Sequence, residues 1–230
     1  MGLPEEDVQP FLDTVKEIID YRNKYCMRLI FATNNQHKVE EIRSAIANET
    51  SIQIITLKEA GIDIDIPEPY NTLEKNASNK SRTIYELTKT NPIATGCFSE
   101  DTGLEAEALY GEPGVKSARY AGNEKSFDKN IEKLLQKLNG NRNRKARFRA
   151  VISLIIDGKE NLFEGICEGT IIRDKRGEGG FGYDPVFVPA GSVHTFAEMN
   201  MEEKNNFSHR RKATDQLVAY LKQLEKNQKI

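Results

Sequence analysis

The chain has 230 residues, of which 38% are hydrophobic and 30% charged, with a formal net charge of −2. That balance suits a soluble globular protein with a substantial core. It excludes a disordered chain and a polybasic one drawn to nucleic acid by net charge, so an anionic ligand must meet a local cluster of cations.

The longest apolar runs, such as 151–156, are too short to span a bilayer, and the opening residues lack the basic-then-apolar layout of a secretory signal. Three cysteines without CxxC spacing point to a reducing cytoplasm, with neither a disulfide framework nor a zinc site. In chain order, Val8, Phe11, Leu12, Val15, Ile18, Ile19 and Tyr25 recur on one face of a helix within 4–25. A strand is expected at 28–33, then a polar turn, a helix over 38–47 and a second strand at 52–56. Pro67 and Pro69 mark a loop before a helix over 72–88. A third strand at 93–99 is expected to end at the acidic SEDTG of 99–103, and the Gly- and Pro-rich 111–122 reads as an irregular loop ahead of a helix over 127–138. Strands at 147–156 and 161–172 flank Asp157-Gly158, a strong hairpin signal. The last helix is expected to take Ser208 as its N-cap, run to about 226 and bury Leu217, Leu221 and Leu224. Crossover helices together with a long hairpin predict a mixed α/β sheet flanked by helices, in two lobes with a cleft between them.

Three blocks carry chemistry. TNNQHK (33–38) is a polar turn entering a helix, where backbone N–H groups bind phosphate. Thr33 and Asn35 can donate hydrogen bonds there, and Lys38 can set a point charge on a phosphate; an ordinary strand-to-helix loop with a surface lysine is the alternative. In SEDTG, Glu100 and Asp101 are expected at the carboxyl end of their strand, a favoured ligand position in α/β sheets. Glu68 in the PEP loop supplies a third carboxylate. Mg2+ takes one or two such groups with substrate phosphates, and surface salt bridges are the alternative. In GGFGYDP (179–185), glycines on either side display Phe181 for stacking on a planar base, or else form a tight turn whose aromatics enter the core. Lys204, His209 and Arg210 follow as possible readers of a base edge, although a histidine just after an N-cap is also a common surface residue. The basic run 141–150 alternates its arginines and reads as a solvated or interface face rather than a nucleic-acid patch.

FATNNQHKVEEI, PEPYNTLEKNASNKS, SEDTGLEAEALYGEPGVKSARYAG and GFGYDPVFVP…TFAEM…EEKNNFSHRRKA resemble, in this order, the signature blocks of the inosine/xanthosine triphosphate pyrophosphatases, over roughly residues 28–226. The resemblance implies a mixed α/β fold with a long central sheet and two lobes, and a homodimer. It also implies Mg2+-dependent cleavage of ITP, dITP and XTP to the monophosphate and pyrophosphate. By this likeness Thr33, Asn34, Asn35, Gln36, His37, Lys38 and Lys80 bind the triphosphate. Glu68 and Asp101 hold the metal with Glu100 assisting, Asp101 is the proton acceptor, and Thr102 lies on the substrate. Phe181, Gly182, Tyr183, Asp184, Lys204, His209 and Arg210 form the base pocket.

Three departures stand out. Asn34 occupies a position where the family commonly has glycine, and asparagine tolerates positive φ. Arg211 replaces a common glycine and is expected to alter packing beside the pocket. Residues 1–26 have no counterpart, and Met27 is a natural start in that register, so an extension over 1–26 and one two-lobed pyrophosphatase domain over 27–230 are expected. A pyrophosphatase for other modified nucleotides, such as methylated pyrimidines, and a catalytically silent nucleotide sensor are the rival readings. The three carboxylates weigh against the second.

Overall fold

Apolar residues on both faces make Met27–Phe31 (β1) a buried parallel strand. The structure, a computed structural model, describes residues 26–49, 51–90 and 94–228; the helix expected within 4–25 lies outside them, as does the first residue of the strand expected at 93–99. β1 leads into helix α1 (Gln36–Ala45), capped by Asn35, whose side chain accepts the Lys38 backbone N–H. The chain returns as β2 (Ile52–Thr56), parallel to β1. Helix α2 (Leu73–Thr88), capped by Thr72, crosses to β3 (Gly96–Ala106) on the other side of β1. The short β4 (Pro113–Gly114) pairs with β3, and helix α3 (Phe127–Lys137) starts from Ser126. Strands β5 (Lys145–Ile156) and β6 (Lys159–Ile171) form the long hairpin, whose Asp157 and Gly158 take φ of 50° and 75° as a two-residue turn requires. β7 (Phe187–Pro189), helix α4 (Met201–Asn205) and helix α5 (His209–Gln228) follow. The seven strands form one mixed sheet in the order β2-β1-β3-β5-β6-β7, with β4 beside β3.

Apolar clusters cover this sheet. Helices α1 and α5 bury Val39, Ile42, Leu217 and Leu221 against Phe31, Phe98 and Ile152 on one face. Helix α2 buries Ile84 against Ile30, Ile55 and Ile155. Toward the other end of the long strands, Leu134 of α3 joins Leu104, Phe148, Phe187 and Phe196. Leu224 does not enter the core as expected and is only half-buried, because it lies beyond the part of α5 that covers the sheet. Ser208 does cap α5, its Oγ accepting the Arg211 N–H at 3.3 Å. Gly165 lets α5 approach: a Cβ there would fall 2.0 Å from the His209 carbonyl oxygen and 2.5 Å from the Ala213 nitrogen.

The expected end of β3 at SEDTG is a correction with consequences for the site. β3 runs through the acids to Ala106, paired residue for residue with β5 from Gly96↔Ile156 to Ala106↔Ala146. The ladder satisfies the backbone whatever the side chains carry, so charged residues do not stop it. β1, however, pairs with β3 only as far as Phe31↔Phe98. Glu100 and Asp101 therefore lie mid-strand, just past the carboxyl end of β1. Residues 111–122 also hold more order than a loop: β4 and a 3-10 turn over Ser117–Arg119.

Candidate active site

Side chains of β3 alternate between the faces of the sheet, and this separates the adjacent acids. Asp101 turns toward α2, where Lys80 Nζ lies 3.3 Å from Asp101 Oδ1, 2.7 Å from Glu68 Oε1 and 3.0 Å from the Glu100 carbonyl oxygen. Glu100 turns toward α1 and α5. Arg210 Nε and Nη2 donate to its Oε2 and Oε1 at 3.1 and 3.2 Å, and Lys38 Nζ lies 3.3 Å from Oε2.

The two acids differ in acidity. Burial pushes Asp101 above the usual carboxylate range; Lys80 and Lys38 oppose this, and Glu68 and Glu100 add to it. Burial acts on Glu100 in the same sense, but Arg210 and Lys38 overcome it and hold that group down at about 2. Glu100 is thus a fixed anion, and Asp101 is the better proton acceptor. Asp101 Oδ2 is buried without a hydrogen-bond partner among the described residues.

That orphaned oxygen, beside a second carboxylate already sharing a cation with Asp101, fits the donor set of a hard divalent ion, which takes one or two carboxylates plus substrate phosphates. No cluster of three or more His, Cys, Asp or Glu suited to a metal occurs among the described residues. Further ligands would have to come from substrate and water. Glu100 departs from the expected assisting role: it is 0% exposed, and both its carboxylate oxygens are engaged by Arg210.

In the phosphate loop, Thr33 Oγ1 accepts the Asn35 N–H at 3.2 Å, which orients the turn at the start of α1. Asn34 is not at positive φ, a conformation confined among described non-glycine residues to Tyr110, Lys125 and Asp157. Its Nδ2 donates to the Ile64 carbonyl at 2.9 Å, so the side chain ties the loop down without backbone strain.

Behind the acids lies a buried ionic chain. Arg210, 2% exposed, also donates through Nη1 to Glu41 and through Nη2 to Thr102 Oγ1 at 3.3 Å. Glu41 Oε1 accepts Lys204 Nζ at 2.6 Å, and Lys204 donates equally closely to Asp184 Oδ2, also at 2.6 Å. Burial opposes ionisation of Glu41, but Arg210 and Lys204 bring it down to about 2. Asp184 Oδ2 then accepts the Phe181 N–H at 2.9 Å. Gly180, at φ +70°, is required here, since a Cβ would sit 2.2 Å from that oxygen.

This chain presents Phe181. His37 stacks on its ring at 5.1 Å and 10°, and the Lys204 and Arg210 cations lie 5.3 and 5.5 Å from its centroid. His209 is buried and stacks on Phe148 at 4.7 Å and 10°. Burial, reinforced by Arg210, pulls its pKa down to about 3, so the ring is neutral at pH 7. Neither ring nitrogen has a partner among the described residues, which leaves one donor and one acceptor unused. The Tyr183 hydroxyl donates to the Ser117 carbonyl at 2.9 Å, and burial raises its pKa.

One cavity of about 450 Å³ brings these groups together. Of the residues expected from sequence, Thr33, Asn34, Asn35, Lys38, Glu68, Lys80, Asp101, Thr102, Phe181, Gly182, Tyr183, Asp184, Lys204, His209 and Arg210 line it; Gln36, His37 and Glu100 do not. His37 acts on Phe181 from outside. Arg211 does not disturb the pocket: its Nε donates to Asp215 Oδ1 at 2.7 Å along the open side of α5. The arginines of β5 are ion-paired, Arg147 with Glu105 and Arg149 with Glu74 and Glu164.

Sequence reasoning missed Glu41, whose partners lie 163 and 169 residues away, and Arg119, Lys125, Phe127 and Asn130 on the cavity wall. Arg119 lies in the stretch GVKSARYAG, where no role was expected of it. Glu41 has no local signal beyond its place between Val39 and Ile42 on the buried stripe of α1.

The Ham1 family model matches residues 29–220. A dITP/XTP pyrophosphatase of Flavobacterium psychrophilum is 46% identical over 196 residues, covering 85% of this chain and 100% of that protein. One of Porphyromonas gingivalis is 49% identical over 195 residues, covering 84% and 97%. The solved structure of the Staphylococcus aureus Ham1 protein superposes with a TM-score of 0.74 at 38% identity, covering 85% of this chain and 98% of that one.

Proposed function

Since the chain belongs to the Ham1 family, we propose that it is a nucleoside triphosphate pyrophosphatase that cleaves ITP, dITP and XTP to the monophosphate and pyrophosphate, removing deaminated purines from the nucleotide pool. The observation that carries this reading is a single cavity whose wall joins the Lys80–Glu68–Asp101 cluster to a buried neutral imidazole with both nitrogens unused. One end suits phosphate chemistry and the other suits a base with a carbonyl edge.

In this reading the triphosphate lies along the N-terminus of α1, where backbone N–H groups, Thr33 and Lys38 meet its oxygens. Asp101, its basicity raised by burial, takes the proton of the water that attacks the α-phosphorus. Lys80 holds Asp101 and Glu68 in place, and with Lys38 it offsets charge on the departing pyrophosphate. Bound Mg2+, held by Glu68 and Asp101, would supply neutralisation of the phosphate oxygens. Phe181 stacks on the purine, and His209 donates to its 6-oxo oxygen. Adenine presents a 6-amino donor at that place and leaves the imidazole N–H unpaired, a mismatch that counts against ATP. The proposal includes a homodimer and a single pyrophosphatase domain over 27–230, both from the resemblance, and a cytoplasmic location, from the cysteine usage. No described helix is long and apolar enough to cross a membrane.

Pyrophosphate release from ITP, dITP, XTP, GTP, ATP and modified pyrimidine triphosphates tests the reading. ITP, dITP and XTP are expected to be cleaved first, with pyrophosphate and not orthophosphate released. Preference for a pyrimidine, or nucleotide binding without turnover, would replace it with one of its rivals.

A further inference from the structure

We propose that Arg119 is a phosphate-binding residue of this cavity, parked on Glu68 in the free protein and transferred to the polyphosphate of the substrate; the proposal rests on the triphosphate reading of the site. Arg119 ends the 3-10 turn Ser117–Arg119 and lines the cavity. Its Nη1 lies 3.4 Å from Glu68 Oε2, and its side chain is 33% exposed. A firm charge-assisted hydrogen bond is shorter, about 2.7–2.9 Å. This is the one ion pair of its guanidinium among the described residues, so most of its donors remain available to an incoming ligand.

Three other cations of the cavity are differently placed. Arg210 is buried and clamped to Glu100, Glu41 and Thr102. Lys80 is in contact with three oxygens, and Lys204 is held between Glu41 and Asp184. Glu68 already has Lys80 at 2.7 Å on its other oxygen, so it stays paired if Arg119 leaves.

The backbone that carries Arg119 is fixed on every side. Asn130, 2% exposed, donates to the Ala118 carbonyl at 3.1 Å and accepts the Ala121 N–H at 2.7 Å. Ser117 Oγ accepts the Leu104 N–H and donates to the Gly114 carbonyl, and Tyr183 donates to the Ser117 carbonyl. A long arm with a loosely held head thus springs from a rigid base, which lowers the ordering cost of binding. Its planar fork suits two phosphate oxygens at once. A cavity wall that carries Glu68 and Asp101 also needs such a cation to accept a polyanion, and moving Arg119 to phosphate frees Glu68 Oε2 on the same wall.

Calorimetric titration of the full chain with inorganic tripolyphosphate in EDTA tests this without metal or turnover. Wild type is compared with Arg119→Gln, Glu68→Gln and the double variant. Arg119→Gln is expected to weaken tripolyphosphate about 10- to 150-fold, the range for a charged hydrogen bond. The loss is expected to persist in the Glu68→Gln background, and Arg119→Lys should recover part of it. In steady state with ITP, KM should rise more than kcat falls. A loss that vanishes when Glu68 is neutral means that Arg119 only shields that carboxylate, and overturns the proposal. So does unchanged affinity in Arg119→Gln when wild type binds. Wild type that does not bind tripolyphosphate overturns the triphosphate reading itself, and this proposal with it.

Discussion

Replacing Arg210 by methionine keeps most of the side chain's volume and removes its charge from the centre of the ionic chain. Two buried carboxylates lose a partner: Glu100, which keeps Lys38 at 3.3 Å, and Glu41, which keeps Lys204 at 2.6 Å. Breaking a buried pair from one side costs about 3–5 kcal/mol, because an uncompensated charge stays inside. The surviving lysine on each acid puts the expectation at the lower end, about 3 kcal/mol. For a chain of this size that is a fall in Tm of about 6–12 °C, read by calorimetry at pH 7. The cost should shrink when Glu100→Gln is added, since a neutral amide needs no cation, and the double variant should be more stable than the sum of the singles. Kinetically, Nε and Nη2 are committed to Glu100 and Nη1 to Glu41. Activity is therefore expected to fall for ITP and ATP alike, with their ratio unchanged. A Tm within about 2 °C of wild type would refute the clamp. A ratio that narrows tenfold or more, on the scale of one charged hydrogen bond of about 1.5–3 kcal/mol, would return Arg210 to direct reading of the purine.

Asp101→Asn keeps shape and removes the base, so kcat should drop by at least ~10² with the fold intact; near-normal turnover at saturating Mg2+ would remove Asp101 from that role. His209→Phe should narrow the ITP-to-ATP ratio by about 2- to 12-fold, the worth of one neutral hydrogen bond, and an unchanged ratio would mean that the imidazole does not read the base. His209 also makes stability pH-dependent: its pKa falls to about 3 on folding from an ordinary value of about 6.5, so between these values the unfolded chain binds a proton that the folded one refuses. Stability should therefore fall as pH drops, and wild type should lose about 2 kcal/mol more than His209→Phe between pH 7 and pH 5 in urea titrations; equal losses would show that the buried ring does not stay neutral. A chain that begins at Met27 should keep its fold and release pyrophosphate, since the family match covers 29–220; an insoluble or inactive product would make 1–26 part of the working protein.

Features written in local chemistry were legible in the sequence. The Asp157-Gly158 turn, the Ser208 cap and the apolar β1 each need only a few adjacent residues to declare themselves, and the structure has them where they were expected. The course of β3 was not legible, because two adjacent acids look like the end of a strand. The ladder to β5 is blind to side chains, and it carries the acids through the middle of the sheet. That one difference changes the chemistry. At a strand end both carboxylates could reach the same ligand. Mid-strand they point to opposite faces, one to Lys80 and the other to Arg210. The resemblance made Asp101 the metal ligand and proton acceptor with Glu100 assisting, but the physical cause of that division was not legible, because it depends on cations from α2 and α5 that are brought in by tertiary packing. Glu41 was invisible for the same reason, its partners being 163 and 169 residues distant. The pair Glu100-Asp101 is therefore better understood as a fixed anion that holds α5 and its His209 against the sheet, next to a weaker acid left free to accept a proton. Exchanging their surroundings would exchange their roles, although the sequence of β3 stayed the same.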